Sequence, residues 1–400
     1  MSDGYITAEE AAAILGVRRS TIYAYVSRKG VRSQQVEGTR QHRYWRADVE
    51  ALRPQGQRGA LRPAKTATNV TLVSEHGLFY RGRDALELAE TASFEEVAGL
   101  LWQARPAIFS RGAPRSSPLF GKLDALLQAE AGVDRALAHF PFLEHANPHC
   151  YDLSPAGMAA TGVDIVRWLT AIILNSGTAS DAPIHLQFQR SLNLSPELAD
   201  LVRRLLVLAA DHGVTEETRA VRTMASTGVT PWRAVAAGLA IAVGRHSRFG
   251  QNDSLRRFVA ELITTDNPEA VVVRSLKEGQ NVPGFGDPKH PNGDPRAAAL
   301  LDYGNRALYN HPAFLRLRSA IELAWESSGK RPNFALVSTF VEEVVGLQSR
   351  RNFVGLSSSE APYLVGRSAG WVAHCIEEVT TSSSPPPSAQ YRGILPAAHG

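Results

Sequence analysis

The stretch from Pro54 to Thr68 constrains the chain most: it is built largely of Pro, Gly, Gln, Arg and Ala without hydrophobic periodicity, the composition of a linker. The segments on its two sides must fold as separate units that can move relative to each other. With 400 residues, 44% of them apolar, the chain exceeds one ordinary domain and can bury a large core. The two sides of the linker also differ in charge. Residues 1–65 carry twelve Lys or Arg against six acids, while the whole chain has a net charge of only +4, so the remainder is slightly acidic. A basic head on a nearly neutral body points to a polyanion partner for the head alone. The plainer reading is a solvated basic face, which charge by itself does not exclude.

Two cysteines, Cys150 and Cys375, stand far apart and in no Cys/His spacing, which supports neither a disulfide framework nor a zinc site. The N-terminus lacks a basic-then-apolar leader pattern, and the most apolar run, Ala234 to Val243, is too short to cross a bilayer. A cytoplasmic protein without membrane contact is expected.

In the head, Thr7 with Glu10 three residues later forms a capping box, and Ala11, Ile14 and Leu15 then supply one apolar face, predicting a helix over Ala8 to Leu15. Gly16 ends it. After a short turn, Ser20 to Ser27 places Ile22 and Val26 on an inner face and Arg19, Tyr23 and Ser27 on an outer one. Val31 to Tyr44, with a turn at Gly38, reads as a hairpin wing, and a third helix begins near Asp48. The string ITAEEAAAILGVRRSTIYAYVSRKG, followed by the wing and RYWRADVEAL, resembles winged helix-turn-helix domains of the MerR/excisionase type over residues 1–53. The resemblance implies that the second helix enters the major groove of DNA. Arg18, Arg19, Thr21 and Tyr23 would then face the DNA, with Arg40 and Arg43 on phosphates.

Beyond the linker, here 54–69, the chain reads as mainly helical. Ser93 and Glu96 form a second capping box, and Ser195-Pro196 opens a run with Leu198, Leu201, Val202, Leu205 and Leu208 at helical spacing. Strands and helices do not alternate, and no GxGxxG or GxxxxGK[ST] motif is present to cradle a nucleotide phosphate.

Four segments of the body, GLFYRGRDALELAETASFEEVAGLLW from Gly77, AADHGVTEET with MASTG from Ala209, PGFGDPKHPNGDPRA from Pro283 and GRSAGWVAHCIEE from Gly366, resemble citrate synthases in order and spacing. The likeness spans residues 70–395. It implies an all-helical body with a large domain and a small-domain insertion over about 213–330, a cleft between them, and a homodimer. It also implies the condensation of acetyl-CoA with oxaloacetate that opens the tricarboxylic acid cycle, with acetyl-CoA as co-substrate and no permanently bound cofactor or metal. That chemistry needs a carboxylate base, two histidines and arginines that hold the acceptor carboxylates.

The binding side of this set is matched. His212 stands at the acceptor-binding histidine of the family's ADH segment, and Arg296 and Arg367 stand at arginines that grip the acceptor. The chemical side departs. Where the family has GPLHGGANE, this chain reads GRHSRFGQND, one residue longer, and His246 is the nearby imidazole, out of register. The GFGH histidine is Asp287 here, with His290 three residues on. The PNVDF segment carrying the aspartate base is shortened to Pro332-Asn333-Phe334, and the nearest acids, Glu326 and Glu342, have no motif support. The RPRxxY element is replaced by Pro386-Pro387-Ser388.

Three readings are compatible with this pattern. One is a regulator with a degraded catalytic site that senses a di- or tricarboxylate, or an acyl-CoA, and presents its heads to DNA. The second is an active citrate or methylcitrate synthase with displaced groups. The third is a partner subunit of an active homologue.

Overall fold

The computed structural model of the protein describes residues 5–29, 31–36, 38–39, 41–52, 67–74, 77–244, 252–277, 281–348 and 361–381. They fall into two compact units, one within Met1–Thr66 and one within Ala67–Ser384.

The first unit is shaped by its caps. Strand β1 (Tyr5–Ile6) leads into α1 (Ala8–Leu15), where Thr7 accepts from the Glu10 amide at 3.2 Å and the Glu10 carboxylate accepts from the Thr7 amide at 2.8 Å. Gly16, left-handed at φ 63°, closes the helix. Helix α2 (Arg19–Lys29) starts one residue before the predicted segment and runs two beyond it. Strands β2 (Ser33–Gln35) and β3 (His42–Trp45) form the wing, β1 pairs with the other edge of β3, and α3 (Arg46–Ala51) comes at once, two residues ahead of Asp48. Ile6, Ala11, Leu15, Ile22, Tyr44 and Val49 make the core. Arg32 clamps Asp48 at 2.8 and 2.9 Å, fastening the wing to α3. Residue 26 and residue 27 have side chains outside the described set.

The second unit opens with a small antiparallel sheet, β4 (Thr71–Ser74), β5 (Gly77–Tyr80) and β6 (Arg83–Asp84). The rest of it is helical. In order come α4 (Ala85–Thr91), α5 (Phe94–Trp102), α6 (Phe120–Leu126), α7 (Gly132–Ala146), α8 (Pro155–Ile173) and α9 (Ile184–Leu192). Next are α10 (Pro196–Ala209), α11 (Glu216–Ser226), α12 (Pro231–Ala242), α13 (Asn252–Thr264) and α14 (Pro268–Lys277). The chain continues through α15 (Pro295–Ala307), α16 (Pro312–Ser328), α17 (Phe334–Gln348) and α18 (Ala361–Thr381). The capping box at Ser93 and the Ser195 cap with Pro196 in the first turn are formed as the sequence suggested.

Helix α18 packs on α8 at the centre and also lies on α5, α10, α11 and α12. A second packing group, α13, α14, α16 and α17, meets this one where α15 and α17 contact α10. Among the described residues a longer apolar helix than the Ala234 to Val243 run is α8. By length and composition α8 is sufficient to span a membrane, but 89% of its apolar window is buried, as in a core helix. Cys150 and Cys375 are both free and buried, and burial pushes their thiols up to about 11 and about 12.

Gly370 sets how closely α18 can approach the end of α10. A Cβ there would collide with the Ala210 carbonyl and fall 2.6 Å from the Asp211 carboxylate and 2.8 Å from the Arg367 guanidinium. Gly370→Ala is therefore expected to destabilise the protein by about 1–3 kcal/mol. An unchanged midpoint in urea unfolding would count against this packing.

Candidate ligand site and nucleic-acid interface

In the head, Arg18, Arg19 and Tyr23 are exposed at and beside α2, Arg43 is exposed on β3, and Thr21 is half-buried. Arg19 is paired with Glu9 at 2.6 Å, and because both side chains are largely exposed the pair is worth under about 1 kcal/mol, so a phosphate can compete for the guanidinium. Tyr23 faces Tyr44, whose phenol is pushed up first by burial and then by that neighbour. Arg40 lies outside the described residues.

In the body, the candidate site is built around the loop after α10. The Tyr80 hydroxyl, from the sequence FYRG, sits among the carbonyls of Val207, Leu208 and Asp211 at 3.0–3.2 Å and so fixes the loop at the helix end. Asp211 is fully buried, and its carboxylate also accepts from the Gly213 amide at 3.0 Å. His212, between them, is half-buried. Arg367 of α18 is bound to Asp211 at 2.5 Å, to the Ala210 carbonyl at 3.1 Å and to the Thr218 hydroxyl at 2.9 Å. The sequence left its guanidinium to a ligand; in the structure Asp211 already occupies it.

Asp211 is one link in a longer buried string. His374 approaches Asp211 at 3.3 Å and Glu377 at 3.6 Å, and Arg222 binds Glu377 at 2.6 Å and Glu378 at 2.8 Å. Burial opposes charge on these groups, yet His374 and Arg367 hold Asp211 well below the usual carboxylate range. Glu377 is likewise depressed, to about 2, against its burial, by His374 and by donors from Asn69, Thr68 and Arg222. His374 is raised: burial lowers it, but Asp211 and Glu377 outweigh that. With His374 protonated, three cations face three carboxylates in this string, and Glu217 beside Arg367 and Arg81 beside Asp211 and Glu377 lie within electrostatic reach of it.

Arg296 is the second arginine that the motif likeness singles out. In the first turn of α15 it is clamped in two-pronged fashion by the capping residue Asp294, at 3.0 and 2.7 Å, and lies 4.2 Å over the Phe334 ring. Its remaining Nη1 is buried and has no hydrogen-bond partner among the described residues. Burial pushes the Asp294 carboxyl up, but Arg296 more than offsets this and holds it below its ordinary value. Tyr80 and Tyr363 both lie within electrostatic reach of Arg296 and of Arg367.

The positions where chemistry would be expected are otherwise engaged. Asp287 is paired with His290 at 3.1 Å, and His290 is 3.7 Å from Asp294, so an imidazole is folded back onto the aspartate. These three offer ligand atoms within 4.8 Å of one another, beside a cavity of about 160 Å³. Both Asp294 oxygens are already bound to Arg296, so a cation there would compete with a guanidinium. Asn333 accepts from the Leu336 amide at 3.0 Å, capping α17, and donates to the Gly286 carbonyl at 3.1 Å. It is a staple between two loops. Glu342 is buried and accepts from the Tyr363 amide at 3.0 Å, while Glu326 is exposed. His246 lies outside the described residues. Asp211, His374 and Glu377 sit within the family-like motifs without a role that the motifs assign, although the His-to-Glu spacing of three on one helix face is visible in the sequence.

Head and body together define a two-part protein, a winged helix-turn-helix joined to a helical body with paired buried arginines. A helix-turn-helix domain profile matches residues 5–53, and the citrate synthase C-terminal domain profile matches residues 165–385, more than half of the chain. The chain therefore belongs to the citrate synthase family. It is 24% identical to citrate synthase 2 of Bacillus subtilis over 368 residues, covering 82% of this chain and 93% of that one. Identity to 2-methylcitrate synthase of Shewanella oneidensis is also 24%, over 385 residues and 88% and 97% of the two chains. The body shares its fold with citrate synthase of Thermoplasma acidophilum, solved as a ternary complex with carboxymethyl coenzyme A and oxaloacetate, at TM-score 0.65 and 17% identity over 85% of this chain and 96% of that one.

The raised His374 has a pH consequence. Its contribution to stability is complete below the unfolded value of 6.5 and is lost as pH rises through the higher folded value, whereas that of Glu377 is lost as pH falls from about 4.5 toward about 2. Urea midpoints between pH 6 and pH 9 should fall less steeply in His374→Asn than in the unaltered chain. Equal slopes would mean that His374 does not titrate in that window.

Proposed function

We propose that the protein is a metabolite-responsive DNA-binding regulator whose body holds a di- or tricarboxylate of the oxaloacetate or citrate type without turning it over. The observation that carries this reading is the contrast between Asn333 and Arg296. A neutral amide, engaged at both ends as a staple, stands where a base is required, while a buried guanidinium retains an unpartnered donor. An amide cannot abstract a proton from carbon, and loss of one catalytic acid or base typically costs about 10²- to 10⁴-fold. Arg296 Nη1 and Arg367 supply charge for the acceptor and His212 a hydrogen-bonding imidazole, with Arg367 exchanging Asp211 for a ligand carboxylate. A homodimeric body would present two heads to paired half-sites, with Arg18, Arg19, Thr21, Tyr23, Arg40 and Arg43 as the DNA contacts. A cytoplasmic location suits such a role.

A second reading, active condensation of acetyl-CoA with oxaloacetate, is favoured by His290, whose imidazole against Asp287 restores a proton donor near the lost histidine. Thiol release from acetyl-CoA in the presence of oxaloacetate separates the two. On the regulatory reading it stays at the buffer blank, while citrate raises the melting temperature of the full chain and Arg296→Leu removes that rise. Release above the blank that depends on His290 would transfer the conclusion to the enzyme.

The head is tested separately. Arg18→Ala and Arg43→Ala should each weaken binding to duplex DNA and lower the slope of log affinity against log salt by roughly one unit or less. Unchanged slopes in both would remove DNA as the partner of this face.

A further inference from the structure

The buried string that begins at Arg367 ends where the chain arriving from the head enters the body. The Glu377 carboxylate accepts from the Asn69 amide at 2.5 Å and from the Thr68 hydroxyl at 2.8 Å, in addition to Arg222 at 2.6 Å. Thr68 and Asn69 are the second and third residues of the body unit, directly after the stretch that joins it to the helix-turn-helix. Cations and anions alternate from one end to the other: Arg367, Asp211, His374, Glu377, then the donors at the root of the tether. Four of these groups are at least nine-tenths buried, so the interactions are poorly screened.

Alternation fixes the sign with which a change at one end reaches the other. A ligand carboxylate that draws on Arg367 leaves Asp211 short of positive charge. Asp211 then draws more on His374. Glu377, deprived of part of that imidazolium, relies more on its remaining donors, Arg222, Thr68 and Asn69. Arg222 is shared with Glu378 and has less to give, and Arg81, within electrostatic reach of Glu377, is committed to the carbonyls of Leu101 and Asn69, which leaves the two residues at the tether root.

We infer that a carboxylate ligand gripping Arg367 tightens the hold of Glu377 on Thr68 and Asn69, and so stiffens the point from which the DNA-binding head is tethered. This rests on the ligand-binding reading above and adds to it the route and the direction of the response. Coupling is reciprocal: weakening the tether contact strengthens the His374–Glu377 pair, returns Asp211 to Arg367 and makes the ligand a poorer competitor.

The test is hydrogen exchange by mass spectrometry on the full-length chain, with citrate as the probe and calorimetry on the same samples. Saturating citrate should slow exchange of the Asn69 amide by about fivefold or more, the lower end of ordinary allosteric couplings, after correction by the amides of α5 for general stabilisation. Thr68→Val, a near-isosteric change at a half-buried position, should raise the Kd for citrate severalfold and blunt the slowing. Citrate that binds while Asn69 exchanges at the same rate or faster overturns the route and leaves the ligand reading standing, as does an unchanged Kd in Thr68→Val. Citrate that does not bind at all defeats the ligand reading, and this inference with it.

Discussion

The body is organised around the pair between Arg367 and Asp211. Both residues are buried, and breaking such a pair by removing one partner costs about 3–5 kcal/mol because the survivor is left charged in a poorly solvated place. Much of the surrounding structure serves to let the pair form. Gly370 gives α18 the clearance to reach the end of α10. Tyr80 gathers the carbonyls at that end, and Arg367 donates to one more of them, at Ala210, where the helix dipole is negative.

The second arginine is secured by different means. Asp294 both caps α15 and clamps Arg296, and the ring of Phe334 lies against the guanidinium. A contact of this kind contributes about 0.5–2 kcal/mol depending on desolvation. Phe334 comes directly after Asn333 in the shortened segment that would otherwise carry the base. That segment therefore spends its residues on capping α17, stapling the Gly286 loop and supporting a cation.

Local features of the sequence were the most legible. Thr7 with Glu10, Ser93 with Glu96, and Ser195 before Pro196 each announce a helix start within four residues, and each is formed. The small sheet β4 to β6 is silent in the sequence because strands of two to four residues hold too few alternations to register. Helix α8 is silent because a helix buried on nearly all sides carries no polar stripe to mark its period. At the site, motif likeness located Arg296 and Arg367 but not what they touch. Asp211 and Arg367 lie 156 residues apart in sequence, and only folding shows that the aspartate beside His212 is the counter-ion of the arginine. The engagement of Asn333 with Gly286, across 47 residues, was hidden for the same reason.

An arginine that starts out paired has a consequence for what the body can do with a ligand. If the site were an empty cradle of free cations, binding would add an ion pair and leave the rest of the protein as it was. On the proposed reading a ligand carboxylate replaces Asp211, so its affinity would be the difference between two similar interactions and correspondingly modest. The same replacement makes the occupied and empty states electrostatically unlike throughout the buried string. Only such a difference between states can shift a conformational equilibrium, since a ligand that interacts equally with both shifts nothing. For an enzyme the exchange would be a cost in ground-state binding with no gain at the reacting carbon. For the regulator proposed above, it would be the signal.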